Sequence, residues 1–286
     1  MLEKKWPTFF IGGAPRSGTT FLYEILNQSN EVFMSPIKEP NYFAPSIDHK
    51  KILSRPISSE NEYLHLFENV TTEKAIGEAS PTYLWDPIAP ELIFKKLPNA
   101  KMIFILRNPI QRSFSHYLNG LGLGYENDSF INSMKNALQN KNDYSGRIAM
   151  ASFYNDGLKR YYEIFDKKNI KVLIFEKLFK DTNFYMKEIC DFLGIKYFIS
   201  NDLENRVNEF TLPRNRILEK MIKNNYLREG VRKYFPIKYE RFLRQILTKH
   251  NKKPKITYEE ENFAKEIFKE DILKLEKLLG YSLPWK

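Results

Sequence analysis

Continuous apolar runs that stop at glycine or a charged residue recur along the chain. The clearest are residues 8–12 (TFFIG), 101–106 (KMIFIL) and 170–175 (IKVLIF), and residues 75–78 (AIGE) form a weaker one. Uninterrupted apolar runs of this length are typical of strands that are covered on both faces of a parallel sheet. The pattern therefore predicts a largely parallel sheet at the centre of the fold.

Stretches with helical periodicity separate these runs. They share an apolar residue at every third or fourth position and span residues 19–27, 87–97, 109 onward, 153–165, 183–193 and 263–279. Strands that alternate with helices are typical of an α/β fold in which helices cover both faces of the sheet. Beyond Asn205 the sequence is basic and its pattern predicts a helical C-terminal extension, with Gly280 as the last C-cap.

The least regular stretch is residues 118–150, where Gly120, Gly122 and Gly124 are followed by polar residues. Such a stretch predicts a surface loop or lid. Aromatic residues are frequent in and around it: Tyr117, Tyr125, Phe130, Tyr144, Phe153 and Tyr154. They either line a pocket for a sugar or another ring-bearing molecule or pack in the core, and the pattern leaves both interpretations open.

Composition narrows the class of protein. Of 286 residues 42% are hydrophobic and 15% aromatic, which is enough for a packed core and excludes a disordered chain. No run approaches the ~20 apolar residues of a membrane span. The single cysteine, Cys190, rules out an internal disulfide and predicts a reducing, cytoplasmic location. With only four histidines beside it, we expect no zinc site.

The formal net charge of +10 predicts an affinity for polyanions. Nucleic acid, anionic lipid, an acidic glycan and a polyanionic cofactor are all compatible with the charge alone. The sequence holds no zinc-finger, RRM or helix-turn-helix signature, and much of the excess charge lies in the Lys-rich C-terminal part. We therefore expect no nucleic-acid partner.

The first candidate site lies between the first predicted strand and helix, in residues 13–20 (GAPRSGTT). Glycines allow successive backbone N–H groups to point into one concavity, and the helix N-terminus adds positive charge. Arg16 adds a formal charge, and the hydroxyls of Thr19 and Thr20 add donors. The spacing matches the nucleotide P-loop G-x4-G-K-[ST], but Thr19 replaces the lysine. The sequence predicts a P-loop-like anion site that lacks this lysine.

The end of the strongest predicted strand points to a different chemistry from that of a kinase. Phosphoryl transfer from a nucleoside triphosphate uses the P-loop lysine and a metal ion held by an acidic residue at a strand end. Here residues 101–106 are followed by Arg107, and Ser115 lies eight residues further on in a predicted helix. An arginine and a hydroxyl are suited to binding a second phosphate. Because a sulfuryl group carries less charge than a phosphoryl group, protein cations and hydrogen bonds suffice for its transfer.

Taken together, the two motifs resemble the sulfotransferases that use 3′-phosphoadenosine-5′-phosphosulfate (PAPS). Residues 16–20 (RSGTT) are similar to their 5′-phosphosulfate loop and residues 106–117 (LRNPIQRSFSHY) to their 3′-phosphate segment. Residues 38–43 (KEPNYF) and 77–84 (GEASPTYL) resemble segments of the heparan sulfate sulfotransferases and their bacterial relatives. Further similar segments extend the likeness over nearly the whole chain: 152–165, 172–178, 189–195 and 278–285.

The resemblance implies one sulfotransferase domain over residues 1–286, with a donor-binding core at about 7–195 and a basic helical part at about 205–286. It also implies PAPS as donor, adenosine 3′,5′-bisphosphate (PAP) as product, and no metal. The residues that would hold the donor are Arg16, Ser17, Gly18, Thr19, Thr20, Arg107, Ser115 and, in a basic loop, Arg214 and Arg216. Arg16 would also stabilise the negative charge on the departing oxygen.

Glu39 is the candidate general base, because the acceptor must lose a proton as it attacks sulfur and the family's glutamate in this segment has that role. His116, next to Ser115, is the alternative base. The acceptor would be a hydroxyl or amine of a glycan or small molecule. Ala44 and Ala79 stand where heparan-type enzymes have an acidic residue and a lysine, which argues against a heparan-like acceptor.

Two other functions remain compatible with the sequence. The first is a nucleotide-dependent kinase with a degenerate P-loop, in which Glu176, after the third strong strand, would bind the metal ion. The second is a non-catalytic protein of the same fold that binds anions or nucleic acid. Magnesium-dependent consumption of ATP would indicate the kinase, and binding that weakens steeply with salt would indicate the binding protein.

Overall fold

The centre of the molecule is a five-stranded parallel sheet. The computed structural model describes residues 5–46, 57–123, 126–140, 146–198, 211–213, 248–250 and 253–285. The strands are β1 (Phe9–Gly13), β2 (Val32–Met34), β3 (Ala75–Ala79), β4 (Lys101–Leu106) and β5 (Ile170–Ile174), in the order β2-β3-β1-β4-β5. All four pairings are parallel. The predicted sheet is confirmed, whereas β2, with only three residues, is too short to show a pattern.

The strand order determines where a ligand can bind. From β1 the chain leaves toward β2 and β3 on one side, and from β4 it leaves toward β5 on the other. The loops after β1 and β4 therefore diverge and open a crevice at the carboxyl edge of the sheet, where ligands of α/β proteins bind. The first candidate loop follows β1, and Arg107 follows β4, which places both predicted anion sites beside this crevice.

Ten α-helices are described, and five of the six that the sequence predicts begin within two residues of their predicted start. They are α1 (Thr19–Leu26), α2 (Glu60–His65), α3 (Ala89–Lys96), α4 (Pro109–Leu123), α5 (Phe130–Gln139), α6 (Gly146–Met150), α7 (Asn155–Ile164), α8 (Phe175–Leu178), α9 (Thr182–Leu193) and α10 (Tyr258–Leu279). Two 3-10 turns cover Pro81–Leu84 and Lys167–Asn169. Helix α10 begins five residues before the predicted start, because Thr257 and Glu260 form a capping box there.

The sheet is buried on both faces, as its apolar runs predict. Alternate residues of a strand point to opposite faces. Phe9, Ile11, Ile103 and Ile105 pack in one core layer with residues of α1 and α9. Their neighbours Phe10, Met102, Phe104 and Leu106 pack in a second layer with residues of α7 and α10. These two layers fix the sheet rigidly beneath the crevice.

The prediction of a loop or lid over residues 118–150 is wrong. The stretch holds the end of α4, all of α5 and α6, and only residues 124–125 and 141–145 are outside the described ranges. Phe130, Met134 and Ala137 of α5 are buried against α4 and α10, where Phe268 is also buried. This tertiary packing outweighs the low helix propensity of Gly120 and the polar residues.

The aromatic residues around this stretch are mainly core residues. Phe130 and Tyr154 are fully buried, Tyr117 is largely buried, and Phe153 packs against Phe268 with 5.1 Å between the ring centroids. Of the two interpretations left open by the sequence, the structure supports core packing for these four. Tyr125 and Tyr144 lie outside the described residues.

The C-terminal part contains strands as well as the predicted helix. β6 (Thr211–Pro213) pairs antiparallel with β7 (Thr248–His250), so the expectation of a purely helical extension beyond Asn205 is wrong at these positions. Their three-residue length gives no readable alternation. Helix α10 ends at Gly280, whose φ of 77° confirms the predicted C-cap. Within the described ranges, no helix has the length and apolar composition needed to cross a bilayer.

Candidate active site

The loop between β1 and α1 leaves several donors for an anion. Gly18 caps α1 at a φ of 90° without a side-chain hydrogen bond, so the N–H groups of the first turn have no acceptor within the helix or from a cap side chain. Ser17 is fully buried, and its hydroxyl has no hydrogen-bond partner among the described residues. A buried polar atom of this kind is rare without a ligand. The loop is therefore suited to bind phosphate or sulfate oxygens.

Glycine is required at position 18 for two reasons. A φ of 90° is strained for any residue with a side chain. A Cβ atom there would also lie 3.1 Å from the Phe179 ring and 3.4 Å from the Phe175 ring. The loop thus turns tightly against these aromatic side chains as it enters α1.

Arg107 joins the end of β4 to this loop. Its Nη1 donates to the backbone oxygen of Arg16 at 3.0 Å, and its guanidinium lies 4.6 Å from the ring centroid of Phe175. Burial lowers the pKa of Arg107, while the nearby Glu176 carboxylate partly offsets that effect. The two motifs that the sequence placed at separate strand ends are therefore in direct contact.

Arg16 lies near two other arginines, Arg107 and Arg112. It has a φ of 68°, unusual for a residue with a side chain, and its Nη1 donates to Asn119 Oδ1 of α4 at 3.5 Å. Arg112, on the same helix α4, is fully buried, and its charge interacts with that of Arg16. The candidate site is thus strongly positive on the α4 side.

Sequence reasoning did not single out Arg112. Its Nε donates to Ser152 Oγ at 2.6 Å, and its Nη2 donates to the backbone oxygen of Arg147 at 2.7 Å. Burial, together with the charges of Arg107 and Arg16, lowers its pKa to about 10, so it remains protonated at neutral pH. Arg112 lies within the second motif, but a buried arginine has no sequence signature that separates it from an exposed one.

His116 is unsuited to act as the base. Both Ser115 and His116 are buried in α4, with 6% and 5% of their surface exposed. Burial, reinforced by the charges of Arg112, Arg147 and Arg16, holds the pKa of His116 well below its usual range. An imidazole in this environment resists protonation, so it is a poor acceptor for the proton of an attacking group.

Lys253 is a second residue that the sequence did not single out. It follows β7 and is close enough to Arg107 and Arg16 that partial loss of hydration and their two charges lower its pKa. Nothing in the basic run around it marks it as different from its neighbours. The predicted donor residues Arg214 and Arg216 lie outside the described residues.

Glu39 follows β2 and lies beside the end of β3. Its backbone N–H donates to the oxygen of Ala79 at 2.9 Å, and Lys38 Nζ donates to its Oε1 at 2.9 Å. The side chain is 41% exposed. Partial loss of hydration raises the pKa of the carboxylate, but the charges of Lys38 and Arg147 and the bond from Lys38 outweigh this effect, so the pKa lies below the usual value. Glu39 is therefore ionised at neutral pH and able to accept a proton.

A second carboxylate, Glu78 of β3, is fully buried, and its charge interacts with that of Glu39. It accepts hydrogen bonds from the hydroxyls of Tyr63, Tyr83 and Ser80 at 2.7–2.8 Å. Burial is the largest influence on Glu78 and, together with the charge of Glu39, outweighs these bonds and raises its pKa to about 7. Glu78 lies in segment 77–84, which resembles the heparan sulfate sulfotransferases, but nothing in the sequence indicates a role for it.

The raised pKa of Glu78 predicts an unusual pH dependence of stability. Between about pH 4.5 and 7 the folded chain retains a proton that the unfolded chain loses, so stability falls as the pH rises through this window. A pKa change of this size corresponds to about 3 kcal/mol. We expect Glu78→Gln to reduce the difference in unfolding free energy between pH 5 and pH 8, measured by urea titration. An unchanged difference would show that Glu78 is ionised throughout this range.

Glu176 has a structural role. Its Oε1 accepts from the backbone N–H of Asn108, and its Oε2 accepts from Trp285 Nε1, both at 2.9 Å. It thereby attaches the C-terminal segment to the ends of β4 and β5. Both carboxylate oxygens are engaged by protein donors, which disfavours the metal-binding role that the kinase alternative requires.

Several known proteins that are similar to this chain in sequence are named as sulfotransferases. Human carbohydrate sulfotransferase 15 is 26% identical over 248 residues, which cover 66% of this chain and 44% of that protein. A membrane-associated sulfotransferase from Dictyostelium discoideum is 32% identical over 111 residues, 39% of this chain and 22% of that protein. The chain spans less than half the length of the curated relatives it matches.

Solved structures agree with the fold. A sulfotransferase from Alicyclobacillus acidocaldarius superposes with a TM-score of 0.72 at 24% identity and covers 98% of both chains. A mouse sulfotransferase in complex with PAP superposes with a TM-score of 0.51 at 15% identity, covering 97% of this chain and 90% of its own. A family model described as a sulfotransferase domain matches residues 7–278. The chain therefore belongs to the sulfotransferase family.

Proposed function

We propose that this sulfotransferase transfers the sulfuryl group of PAPS to a hydroxyl or amine of a glycan or small-molecule acceptor. The observation that carries the proposal is the contact between two groups of anion-binding donors at the ends of β1 and β4. One group is the Ser17 hydroxyl, which has no partner among the described residues, together with the α1 N-terminus, which has no side-chain cap; Arg107 forms the other. PAPS has anionic groups at its 5′ and 3′ positions, which fits two separate sites.

Different residues would bind the different anionic groups of PAPS. Ser17, Gly18, Thr19 and Thr20 would hold the 5′-phosphosulfate, and Arg107 with Ser115 the 3′-phosphate. Lys253 lies beside both arginines and would add to their positive field on the solvent side. PAPS supplies the activated sulfuryl group. These donors would hold its oxygens, and Arg16 would place a positive charge where negative charge develops.

Glu39 would accept the proton that the acceptor group loses. The acceptor hydroxyl or amine forms a bond to sulfur while its proton passes to the Glu39 carboxylate, and the bond between sulfur and the bridging oxygen breaks. Because Lys38 and Arg147 keep the pKa of Glu39 low, the base is available throughout the neutral range. We expect loss of activity by protonation of Glu39 only in more acidic solution, below about pH 4.5.

Donor binding tests the proposal directly. We expect calorimetry to detect binding of PAP by the unaltered protein and a much weaker affinity for Arg107→Ala, by about 10- to 100-fold, because a charge-assisted contact is lost. The matched control is Lys95→Ala, which removes the same charge at the end of α3. That position lies in α3, before β4, whereas Arg107 follows the other end of this strand.

The outcomes separate the alternatives. No binding of PAP by the unaltered protein would overturn the proposal. Magnesium-dependent ATP hydrolysis with no transfer of labelled sulfate from PAPS would instead support a kinase-like enzyme. Acceptors are identified by mass after incubation with PAPS and a panel of glycans, lipids and polar metabolites. The predicted extent of the domain and its cytoplasmic location both stay predictions.

A further inference from the structure

Two of the hydroxyls that donate to Glu78 also accept hydrogen bonds from a neighbouring backbone segment. Ser80 Oγ donates to Glu78 Oε2 at 2.7 Å and accepts from the backbone N–H of Asn41 at 3.1 Å. Tyr83 Oη donates to Glu78 Oε1 at 2.7 Å and accepts from the backbone N–H of Phe43 at 3.3 Å. Two continuous hydrogen-bonded paths therefore join Glu78 to residues 38–43, the segment that carries Glu39.

That segment has an unusual backbone. Glu39 has a φ of 65° and Asn41 a φ of 53°, in the left-handed region that favours glycine. Asparagine tolerates this region, whereas glutamate rarely adopts it. Such conformations persist where the surrounding structure enforces them, and they concentrate at functional sites. The backbone around Glu39 therefore needs bonds from neighbouring elements to keep its shape.

Those bonds come mainly from the end of β3 and the turn after it. The N–H of Glu39 donates to Ala79 O at 2.9 Å, and Thr82 Oγ1 donates to Asn41 Oδ1 at 2.5 Å. Asn41 Nδ2 in turn donates to the backbone oxygen of Glu39 at 2.7 Å. Together with the two paths from Glu78, these bonds hold the backbone of the segment either directly or through the Asn41 side chain. The Glu39 carboxylate accepts a hydrogen bond from Lys38 instead.

We propose that Glu78 is a positioning residue, whose buried carboxylate holds residues 38–43 through Ser80 and Tyr83 and so keeps Glu39 in place for proton transfer. The inference rests on the role of Glu39 in the proposed function. It adds to that function an explanation of how Glu39 stays aligned with the acceptor although its backbone is strained. A displacement of about 1 Å at a reacting group costs up to about 100-fold in rate.

Tyr63 provides a matched control. Its hydroxyl donates to Glu78 Oε1 at 2.8 Å, as Tyr83 does, and its ring stacks on that of Tyr42 with 4.4 Å between centroids. No hydrogen bond from the Tyr63 hydroxyl to residues 38–43 is present in the described structure. Tyr63→Phe therefore removes one bond from Glu78 and preserves the ring, but it leaves both paths to the segment intact.

The experiment compares Ser80→Ala, Tyr83→Phe and Tyr63→Phe. We expect the first two to lower kcat by about 10- to 100-fold with unchanged affinity for PAP, while Tyr63→Phe retains nearly the full rate. Ser80→Thr, which keeps the hydroxyl, should restore most of the rate. Hydrogen exchange in a peptide that covers residues 38–43 should accelerate in Ser80→Ala and Tyr83→Phe but not in Tyr63→Phe.

The readouts distinguish this inference from the proposed function. If all three variants lose the same activity, or if neither path variant accelerates exchange in the segment, the positioning role of Glu78 is wrong. If the paths control exchange but Glu39→Gln transfers sulfate normally, the role assigned to Glu39 is wrong, and with it the catalytic purpose of the positioning. If Ser80→Ala fails to fold, Tyr83→Phe tests the second path alone.

Discussion

Replacing Glu39 by glutamine should lower kcat by about 100- to 10,000-fold, the range typical of a lost general base. The amide has nearly the shape of the carboxylate but cannot accept the proton of the attacking group. The donor site is built from other residues, so affinity for PAP should remain that of the unaltered protein. The measurement is transfer of labelled sulfate from PAPS to an accepted substrate, alongside calorimetry with PAP.

Glu60→Gln is the control for this substitution. Glu60 pairs with Lys96 at 2.6 Å and its side chain is 44% exposed, close to the 41% of Glu39 in its pair with Lys38. The two variants therefore remove the same charge from similar lysine pairs. Glu60→Gln should keep full activity because exposed pairs contribute little. Equal activity of Glu39→Gln and Glu60→Gln would remove Glu39 from the mechanism.

The second large effect is expected at Arg16, where alanine should lower kcat by about 100- to 1,000-fold, as for other groups that stabilise developing negative charge. PAP should still bind, since Arg107 and the loop remain. Both arginine and alanine have a Cβ atom, so the left-handed backbone at this position is equally strained in the two proteins. The expected loss is thus a loss of charge.

Chemical rescue separates the charge of Arg16 from its packing. The residue is half-buried, so a small cation from solution can reach the space that alanine leaves. Added guanidinium at non-denaturing concentration should raise kcat of Arg16→Ala without affecting Arg107→Ala. A variant that retains normal kcat, or one that loses PAP binding and kcat together, would contradict a role confined to the departing oxygen.

Much of the fold could be predicted because it depends on short-range patterns. The strand over Lys101–Leu106 has the predicted bounds, and the glycine loop with its following helix lies where the sequence placed it. Continuous apolar runs indicate burial on two faces whatever their neighbours are. The prediction is wrong over 118–150, where Phe130 of α5 is buried in an apolar cluster that also contains the distant Phe268.

The site shows the same division. RSGTT and Arg107 carry chemistry that is readable from residue type and spacing, and parallel strands bring their ends to one edge of the sheet. Glu39 is identified through the family resemblance of residues 38–43. Arg112, Lys253 and Glu78 could not be selected in this way. Their importance comes from burial and from neighbours far along the chain, such as Ser152 for Arg112.

The sequence by itself determined the fold class, the anion-binding loop and the family, because each depends on residues close together in the chain. Tertiary structure alone decided the electrostatics. It buried His116 among arginines and so lowered its pKa, left Glu39 ionised beside Lys38, and joined Glu78 to the strained segment 38–43. The reason is physical: a pKa or an alignment depends on solvent access and on charges in three dimensions, which a linear sequence does not state.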